Sequence, residues 1–116
     1  MDGTRNMREV NDTIFNETSL TADARGEEVE LKYLFGFSIQ INSDATAGGS
    51  GTLKIEVTND DETWVELSSP TTAISGPSSS AISIITDGYY SKMRIFYDHT
   101  SGTIDSISVI LNGKGA

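Results

Sequence analysis

The sequence contains no cysteine and a single histidine, His99. Without cysteine, neither a disulfide bond nor a thiolate zinc site can form, and one histidine is too few for a zinc centre built from imidazoles. A Ser-His-Asp triad would have to use His99. Its neighbour Asp98 lies on the same predicted strand and therefore points to the opposite face, so it cannot readily orient the imidazole ring. We expect a chain that is not an enzyme.

Basic residues are also scarce, with 8 Lys and Arg against 17 Asp and Glu and a net charge of -9. Because Lys and Arg neutralise phosphates, we expect no direct contact with nucleic acid, and anionic membranes are disfavoured for the same reason. No apolar stretch approaches the roughly 20 residues of a membrane helix. Residues 1–12 lack the apolar segment of an export signal.

What the sequence does contain is alternation with a period of two. Residues 33–41 place Phe35, Phe37, Ile39 and Ile41 on one face and small or polar residues on the other, which is typical of a half-buried strand. The pattern also predicts strands over 24–34, 52–58, 63–67, 81–86, 89–99 and 104–111. Phe96 breaks the alternation of its strand, which places it on the second face of the sheet or in an interface.

Glycine, serine and proline mark the connections. The glycine-rich run 42–51 predicts a hairpin loop, the acidic run 59–62 a turn, and residues 68–80 a longer loop. Six to eight short strands joined by polar turns predict an all-β fold, a single antiparallel β-sandwich similar to a jelly roll.

A chain of 116 residues fits one domain. Residues 1–12 are polar and show no period, so we expect an extended N-terminal arm that is flexible or ordered by a partner, followed by a β-sandwich domain over 13–116. Five residues are candidates for binding a partner. They lie in the arm and at the beginning of the strand that follows it: Arg5, Arg8, Val10, Ile14 and Phe15.

Two further groups could bind a ligand. Asp60, Asp61 and Glu62 could supply some of the six to eight oxygens that Ca²⁺ takes, but they are consecutive and lack the alternate spacing of an EF-hand, so a solvated turn is the favoured interpretation. The aromatic residues Trp64, Tyr89 and Tyr90 could form a sugar-stacking platform, although a position at the edge of the core is favoured. We expect neither a metal nor another cofactor.

The second half of the chain resembles small β-sandwich virion proteins of phages. The segment 51–67 is similar to their G-T-L-x-x-x-x-S-N-D-x-x-x-W pattern, with Thr58 in place of the usual Ser and Glu62 where Gly is often found. The strand 90–97 has their aromatic-x-x-x-Arg-aliphatic-x-Tyr pattern and precedes a Thr-Ser-Gly-Thr turn at 100–103. The resemblance covers about residues 35–115, which end in a strand and Lys114-Gly115.

This resemblance implies a non-enzymatic structural protein of the virion: a head decoration or cement protein, a head-fibre base or a tail part. We expect a capsid decoration protein, made in the host cytoplasm, that binds the major capsid protein and copies of itself on the capsid surface and stabilises the head. A trimer or another symmetric oligomer would suit such a site. The alternative is a carbohydrate-binding module or adhesin, because the N-D-x-x-x-W feature also occurs in discoidin-like sugar-binding sandwiches.

Overall fold

The computed structural model describes residues 8–31, 34–85 and 90–115. Within these ranges every strand pairing is antiparallel and no helix occurs, hence none that could cross a membrane. The strands are β1 Arg8–Leu20, β2 Ala24–Arg25, β3 Val29–Glu30, β4 Leu34–Thr58, β5 Val65–Glu66, β6 Thr72–Ile85, β7 Lys92–Ser101 and β8 Ile104–Gly115. The predicted all-β fold is confirmed.

The hydrogen-bonded strands fold back on themselves as a nearly closed sandwich. The half that we call sheet I contains β1, β8, residues 36–44 of β4 and residues 79–85 of β6. The half that we call sheet II contains β2, β3, β7, β5, residues 50–58 of β4 and residues 72–75 of β6. The long strands β4 and β6 therefore run through both halves and join them.

Alternation places one side of each half in a common core, as the sequence predicts. Sheet I contributes Ile39 and Ile41 from β4 and Ile107, Val109 and Leu111 from β8, all at most 2% exposed. Sheet II contributes, with the same degree of burial, Leu53, Ile55, Met93, Ile95 and Tyr97. Burying large aliphatic side chains stabilises a fold by about 1.5–3 kcal/mol each, so this core accounts for stability without disulfides or metal.

The predicted hairpin loop at 42–51 is wrong, because β4 continues through this segment and turns the corner between the sheets. The pairing of β4 with β6 shifts register between Ala45 and Ser50. At the corner, Gly48 has a φ of 100°, and Gly49 packs so closely on the backbone of Thr103 that a Cβ would overlap its carbonyl. Glycine here permits a sharp bend and a close backbone approach.

The predicted loop at 68–80 is also wrong over most of its length. Thr72–Ile85 forms β6, whose residues pair with both parts of β4 and bend at Gly76, where φ is 76°. Glycine and proline, which occur at Gly76 and Pro77 in this serine-rich segment, have low strand propensity. Backbone pairing with β4 overrides that propensity and extends a strand that the sequence predicts only from residue 81.

The structure describes the last five residues of the predicted N-terminal arm, 8–12, as part of a strand. Residues 8–12 belong to β1, where Arg8 pairs with Gly115 and Asp12 with Leu111. A register shift between Thr13 and Phe15 inserts one extra residue, a β-bulge. Because of this bulge, the consecutive residues Ile14 and Phe15 are both buried in the core, each 3% exposed.

Candidate interaction surfaces

The outer face of sheet II is organised around the carboxylate of Glu56. Oε1 of Glu56 accepts hydrogen bonds from Nε of Arg94 at 2.6 Å and from Nε of Arg25 at 3.1 Å, and Nη2 of Arg25 donates to Oε2 at 3.4 Å. The Glu56 side chain is only 10% exposed. Charge-assisted hydrogen bonds of this kind are roughly twice as strong as neutral ones, so the carboxylate fixes both guanidinium groups.

Burial of Glu56 acts to raise its pKa, but the hydrogen bonds and positive charges of Arg25 and Arg94 outweigh it, and the pKa lies below the ordinary value. The same carboxylate raises the pKa of Arg25, first through the hydrogen bond and then through its charge. Glu56 therefore stays ionised at neutral pH and carries no proton to transfer.

Each guanidinium also lies over an aromatic ring. The Cζ atom of Arg94 is 4.1 Å from the ring centroid of Trp64, and that of Arg25 is 4.3 Å from the ring centroid of Phe96. Such cation–π contacts contribute about 0.5–1 kcal/mol each at exposed positions. Phe96 thus covers the second face of the sheet, one of the two places its broken alternation indicates. Arg94 covers a ring face of Trp64, which limits its use as a sugar platform.

The remaining basic side chains of the described residues are also paired on this face. Nζ of Lys54 lies 3.1 Å from Asp98 and 3.4 Å from Glu66, and Nζ of Lys92 lies 3.4 Å from Glu28. The basic side chains that the structure describes therefore all neutralise carboxylates of the same sheet. Sheet II offers no unpaired cationic patch among its described residues.

The acidic turn at 59–62 is held by Asp60. Oδ1 of Asp60 accepts hydrogen bonds from the backbone N–H groups of Thr63 and Glu62 at 2.8 and 2.9 Å and from the hydroxyl of Thr58 at 3.0 Å. These bonds lower its pKa to about 2. Asp61, with a φ of 65°, points toward Ser91. Within the described ranges, no three acidic or histidine side chains cluster closely enough to hold a metal.

His99 lies near the corner between the sheets. Its Nδ1 is 2.8 Å from the hydroxyl of Tyr97, which also lies 3.3 Å from the carbonyl oxygen of Ser50. Burial, with smaller contributions from nearby carboxylates, raises the pKa of Tyr97. Asp98 points away and receives Lys54, as the strand alternation predicts. The described side chains therefore do not assemble a triad around His99.

The outer face of sheet I is covered by small polar side chains. Asn16, Ser108, Asn42 and Ser80 occupy paired positions on four neighbouring strands, and they line a groove of about 590 Å³ that we call the polar groove. Oδ1 of Asn42 accepts hydrogen bonds from Ser80 at 2.8 Å and from Gln40 at 3.1 Å. Both bonds use the amide oxygen of Asn42. They orient the amide group, and its N–H donors take no part in them. Sequence reasoning does not predict this groove, because serine and asparagine at alternate positions are common on any solvated strand.

An apolar groove lies at one end of the sandwich, beside the acidic turn. Val57, Val65, Leu67 and Tyr90 line it, its volume is about 440 Å³, and Val65 is 58% exposed. Tyr90 faces this groove, whereas Trp64 stacks on Arg94, and no described contact joins the two rings into one platform. Tyr89 lies outside the described residues.

The structure describes the side chains of two of the five candidate arm residues, Ile14 and Phe15. Arg5 and the side chains of Arg8 and Val10 lie outside what the structure describes. Ile14 and Phe15 are buried, so their side chains belong to the core and are not available to a partner. The strand around them is held in the sheet by β8.

The residues that carry the sequence resemblance come together in sheet II. The 51–58 part of β4 pairs with residues 92–99 of β7, Trp64 stacks on Arg94, and Gly51 leaves room for the ring of Tyr97. The Thr-Ser-Gly-Thr turn lies against the corner glycines. The shared pattern therefore specifies how the sandwich is built, since each of these residues contacts another part of the chain.

The fold is similar to that of several solved structures. The SPBc2 prophage-derived protein YomS matches with a TM-score of 0.63 and 12% identity over 94% of this chain and 95% of that chain. The carbohydrate-binding module CBM4 matches with a TM-score of 0.53 and 12% identity over 90% and 70%. A chain of the T13 IBDV viral particle matches with a TM-score of 0.53 and 11% identity over 95% and 31%.

No protein-family model matches the sequence, and no curated protein sequence matches it. Identities of 11–12% show a shared fold. That fold is used by a phage-derived protein, a viral particle and a sugar-binding module, so the jelly-roll-like sandwich of the prediction is confirmed while the activity has to be argued from the surfaces.

Proposed function

We propose that the chain is a non-enzymatic structural protein of a phage virion, a decoration or cement protein that binds major capsid subunits and stabilises the head. The observation that carries this proposal is the match of nearly the whole chain to nearly the whole of a prophage-derived protein. The fold of a viral particle chain and the residue pattern shared with phage virion proteins support it further.

The apolar groove is the surface that we assign to the capsid. Val65 is 58% exposed at its mouth and Leu67 and Tyr90 line its wall, so an apolar side chain of a capsid subunit would be desolvated there. Exposed apolar surface next to polar residues is typical of protein contacts. The charged side chains of sheet II are paired with one another. They would therefore hold the groove in shape without contributing to binding.

The test is made on particles produced from the genome that encodes the chain. Purified particles should contain the chain in a fixed ratio to the major capsid protein, and particles made without its gene should release their DNA at a lower temperature. Added protein should bind these particles and restore the release temperature. A chain that stays in the lysate and is absent from purified particles contradicts the proposal.

A charge at the groove tests the assigned surface. Val65→Lys should fold as the parent does, because this side chain is exposed, and should bind particles at least about tenfold more weakly. Thr21→Lys, on an exposed residue away from the groove, is the matched control. Equal binding by both variants would show that the capsid contact lies elsewhere, even if the chain is a virion protein.

A second candidate function is sugar binding, and the polar groove favours it. Its lining of hydroxyl, amide and carboxylate groups offers the donors and acceptors that a glycan requires, on a fold shared with a carbohydrate-binding module. The groove takes the place of the platform of Trp64, Tyr89 and Tyr90 in the sequence-based alternative. Because none of its described lining residues is aromatic, binding would depend on hydrogen bonds.

Calorimetry against a panel of soluble polysaccharides tests this second function. Binding that is lost in Asn42→Ala and kept in Trp64→Leu would establish the groove as the site. Loss in Trp64→Leu alone would restore the aromatic platform. The absence of heat with every polysaccharide would contradict sugar binding and leave the virion proposal untouched.

A further inference from the structure

Strand β6 differs from the rest of the molecule in charge. Charged residues make up 22% of the chain, yet none occurs between residues 67 and 86, a segment that includes all of β6. Each of the other seven strands contains at least one charged residue. In a chain with a net charge of -9, this is an uncharged surface of unusual length.

β6 also buries little of itself. Among its described side chains only Ile74 is buried, and Ile82 is 65% exposed. Ser79 and Ala81 pair with Ser43 and Ile41, whose side chains are buried, yet both are exposed. The strand is therefore open on both faces over this part. A strand gains most of its stability from packing. The fourteen residues of β6 pair with one neighbouring strand and therefore gain little stability from packing.

The far edge of β6 lacks the usual protection. Within the described residues, β6 pairs only with β4, so its other edge presents unpaired backbone groups. Proteins protect such edges with charges, proline, bulges or a covering element. The segment 78–83 has no charge and no proline, and its pairing with β4 is regular from Ser79 onward.

The other long edge strand, β1, shows the expected protection. Its outer part carries the exposed acids Asp12 and Glu17, and a bulge interrupts it between Thr13 and Phe15. Charges repel an approaching strand and a bulge breaks its hydrogen-bonding pattern. The edge of β1 is therefore protected against pairing with another strand, whereas the edge of β6 is not.

We propose that segment 78–83 of β6 binds a second copy of this chain, with the two β6 strands pairing antiparallel about a two-fold axis. Two copies with a net charge of -9 repel over most of their surfaces and meet at lowest electrostatic cost along the uncharged strand. A two-fold pairing lets one segment supply both sides of the contact. A basic partner would gain no charge complementarity here. The inference rests on β6 alone and stands whether or not the chain is a virion protein.

Light scattering on the purified protein is the first test. The mass should be twice the 12.5 kDa of one chain, and Ala81→Lys or Ile82→Lys should raise the dissociation constant at least about tenfold, because like charges then face each other across the axis. Circular dichroism and thermal melts establish that both variants fold. Val65→Lys, a similar change at an exposed apolar residue of β5, should remain a dimer.

Cysteine cross-linking tests the geometry, since the chain has no cysteine of its own. Single cysteines are placed at Ser79, Ser80, Ala81 and Ile82, with Ser68→Cys as the control. A disulfide requires Cα atoms about 4.4–6.8 Å apart. In a two-fold antiparallel pairing only the one or two residues nearest the axis come this close to their copies, whereas an in-register parallel pairing would bring all four positions together. Rapid cross-linking at one or two neighbouring positions supports the proposal. A monomer, or a dimer that neither the lysines nor the cysteines affect, overturns it.

Discussion

The outer faces of the two sheets are both exposed to water, but they differ in the side chains that they present. Sheet II presents ionised and aromatic side chains that bind one another, centred on Glu56 between Arg25 and Arg94. Sheet I presents mainly small uncharged polar side chains such as Asn42 and Ser108, which line an open groove together with the carboxylate of Asp44. One face is closed by its own contacts, and the other keeps donors and acceptors available.

The difference shows that a charged or aromatic side chain on a surface is not necessarily free to contact a partner. Tryptophan, arginine and acidic clusters are the residues that attract attention in a sequence, yet here Trp64, Arg94 and Asp60 are engaged within the chain. Among the described residues, surfaces that remain open include the polar groove, the apolar groove and the edge of β6, which are built largely of serine, asparagine and aliphatic residues. Partners should therefore be sought at these surfaces.

The strongest way to disrupt both faces is to disturb the corner that joins them. In Gly49→Ala the new methyl group would overlap the backbone carbonyl of Thr103, which has no free rotation to relieve it. We expect the free energy of unfolding to fall by about 3 kcal/mol, as in overpacked cores. Urea unfolding followed by Trp64 fluorescence measures it, with the exposed Ala47→Ser as the control. A loss below about 0.5 kcal/mol would show that the corner adapts easily.

The network of sheet II is tested by Glu56→Gln. The substitution keeps the size of the side chain and removes the charge that holds two guanidinium groups. We expect a loss of about 2 kcal/mol in the free energy of unfolding, within the range for hydrogen bonds to charged groups and reduced by solvent at the half-exposed Arg25. The measurement is urea unfolding at pH 7. An unchanged stability would mean that the face is ordered by its strands alone.

The acidic turn predicts how stability depends on pH. The pKa of Asp60 is about 2 in the folded chain and ordinarily 3.8, so the folded state favours the ionised form. Its contribution is complete above about pH 4 and is lost as the pH falls toward 2. Asp60→Asn cannot titrate, so the stability difference between parent and variant should shrink over this window. Urea midpoints from pH 2 to 7 measure it, and a constant difference would contradict the assignment.

The smallest effect is expected on sheet I. Asn42→Ala removes two hydrogen bonds between exposed side chains, so the free energy of unfolding should change by no more than about 0.5 kcal/mol. Its solution mass should equal that of the parent, because the edge of β6 is unchanged. A loss comparable to that of Glu56→Gln would abolish the contrast between the two faces.

Much of the sandwich follows from alternation alone. The inward residues Met93, Ile95 and Tyr97 of β7 are fully buried, and so are Ile107 and Val109 of β8, as their period predicts. The departure at Phe96 also has physical meaning, because an apolar residue on an outer face needs a cover, and Arg25 supplies it. Prediction from the sequence fails for strands that lack this periodicity.

The differences between prediction and structure all depend on how strands pair, which no single segment of the sequence specifies. Residues 45–50 and 72–80 form strand because another segment offers backbone hydrogen bonds, whereas their glycine, serine and proline content indicates loops. The burial of both Ile14 and Phe15 does not follow from alternation, because a bulge changes the face to which a residue points and has no reliable sequence signature. The polar groove exists only once four strands lie side by side.

The pairing of β1 with β8 has a mechanical consequence. Arg8 lies opposite Gly115, so the two ends of the described sandwich leave it side by side. A load applied between these ends would peel β1 from β8 one hydrogen bond at a time, because antiparallel partners held at the same end open like a zipper. A load applied along the strands at opposite ends of β1 and β8 would instead load all their hydrogen bonds at once and shear the strands past one another. The pair should therefore resist this load better than one applied between the two adjacent ends.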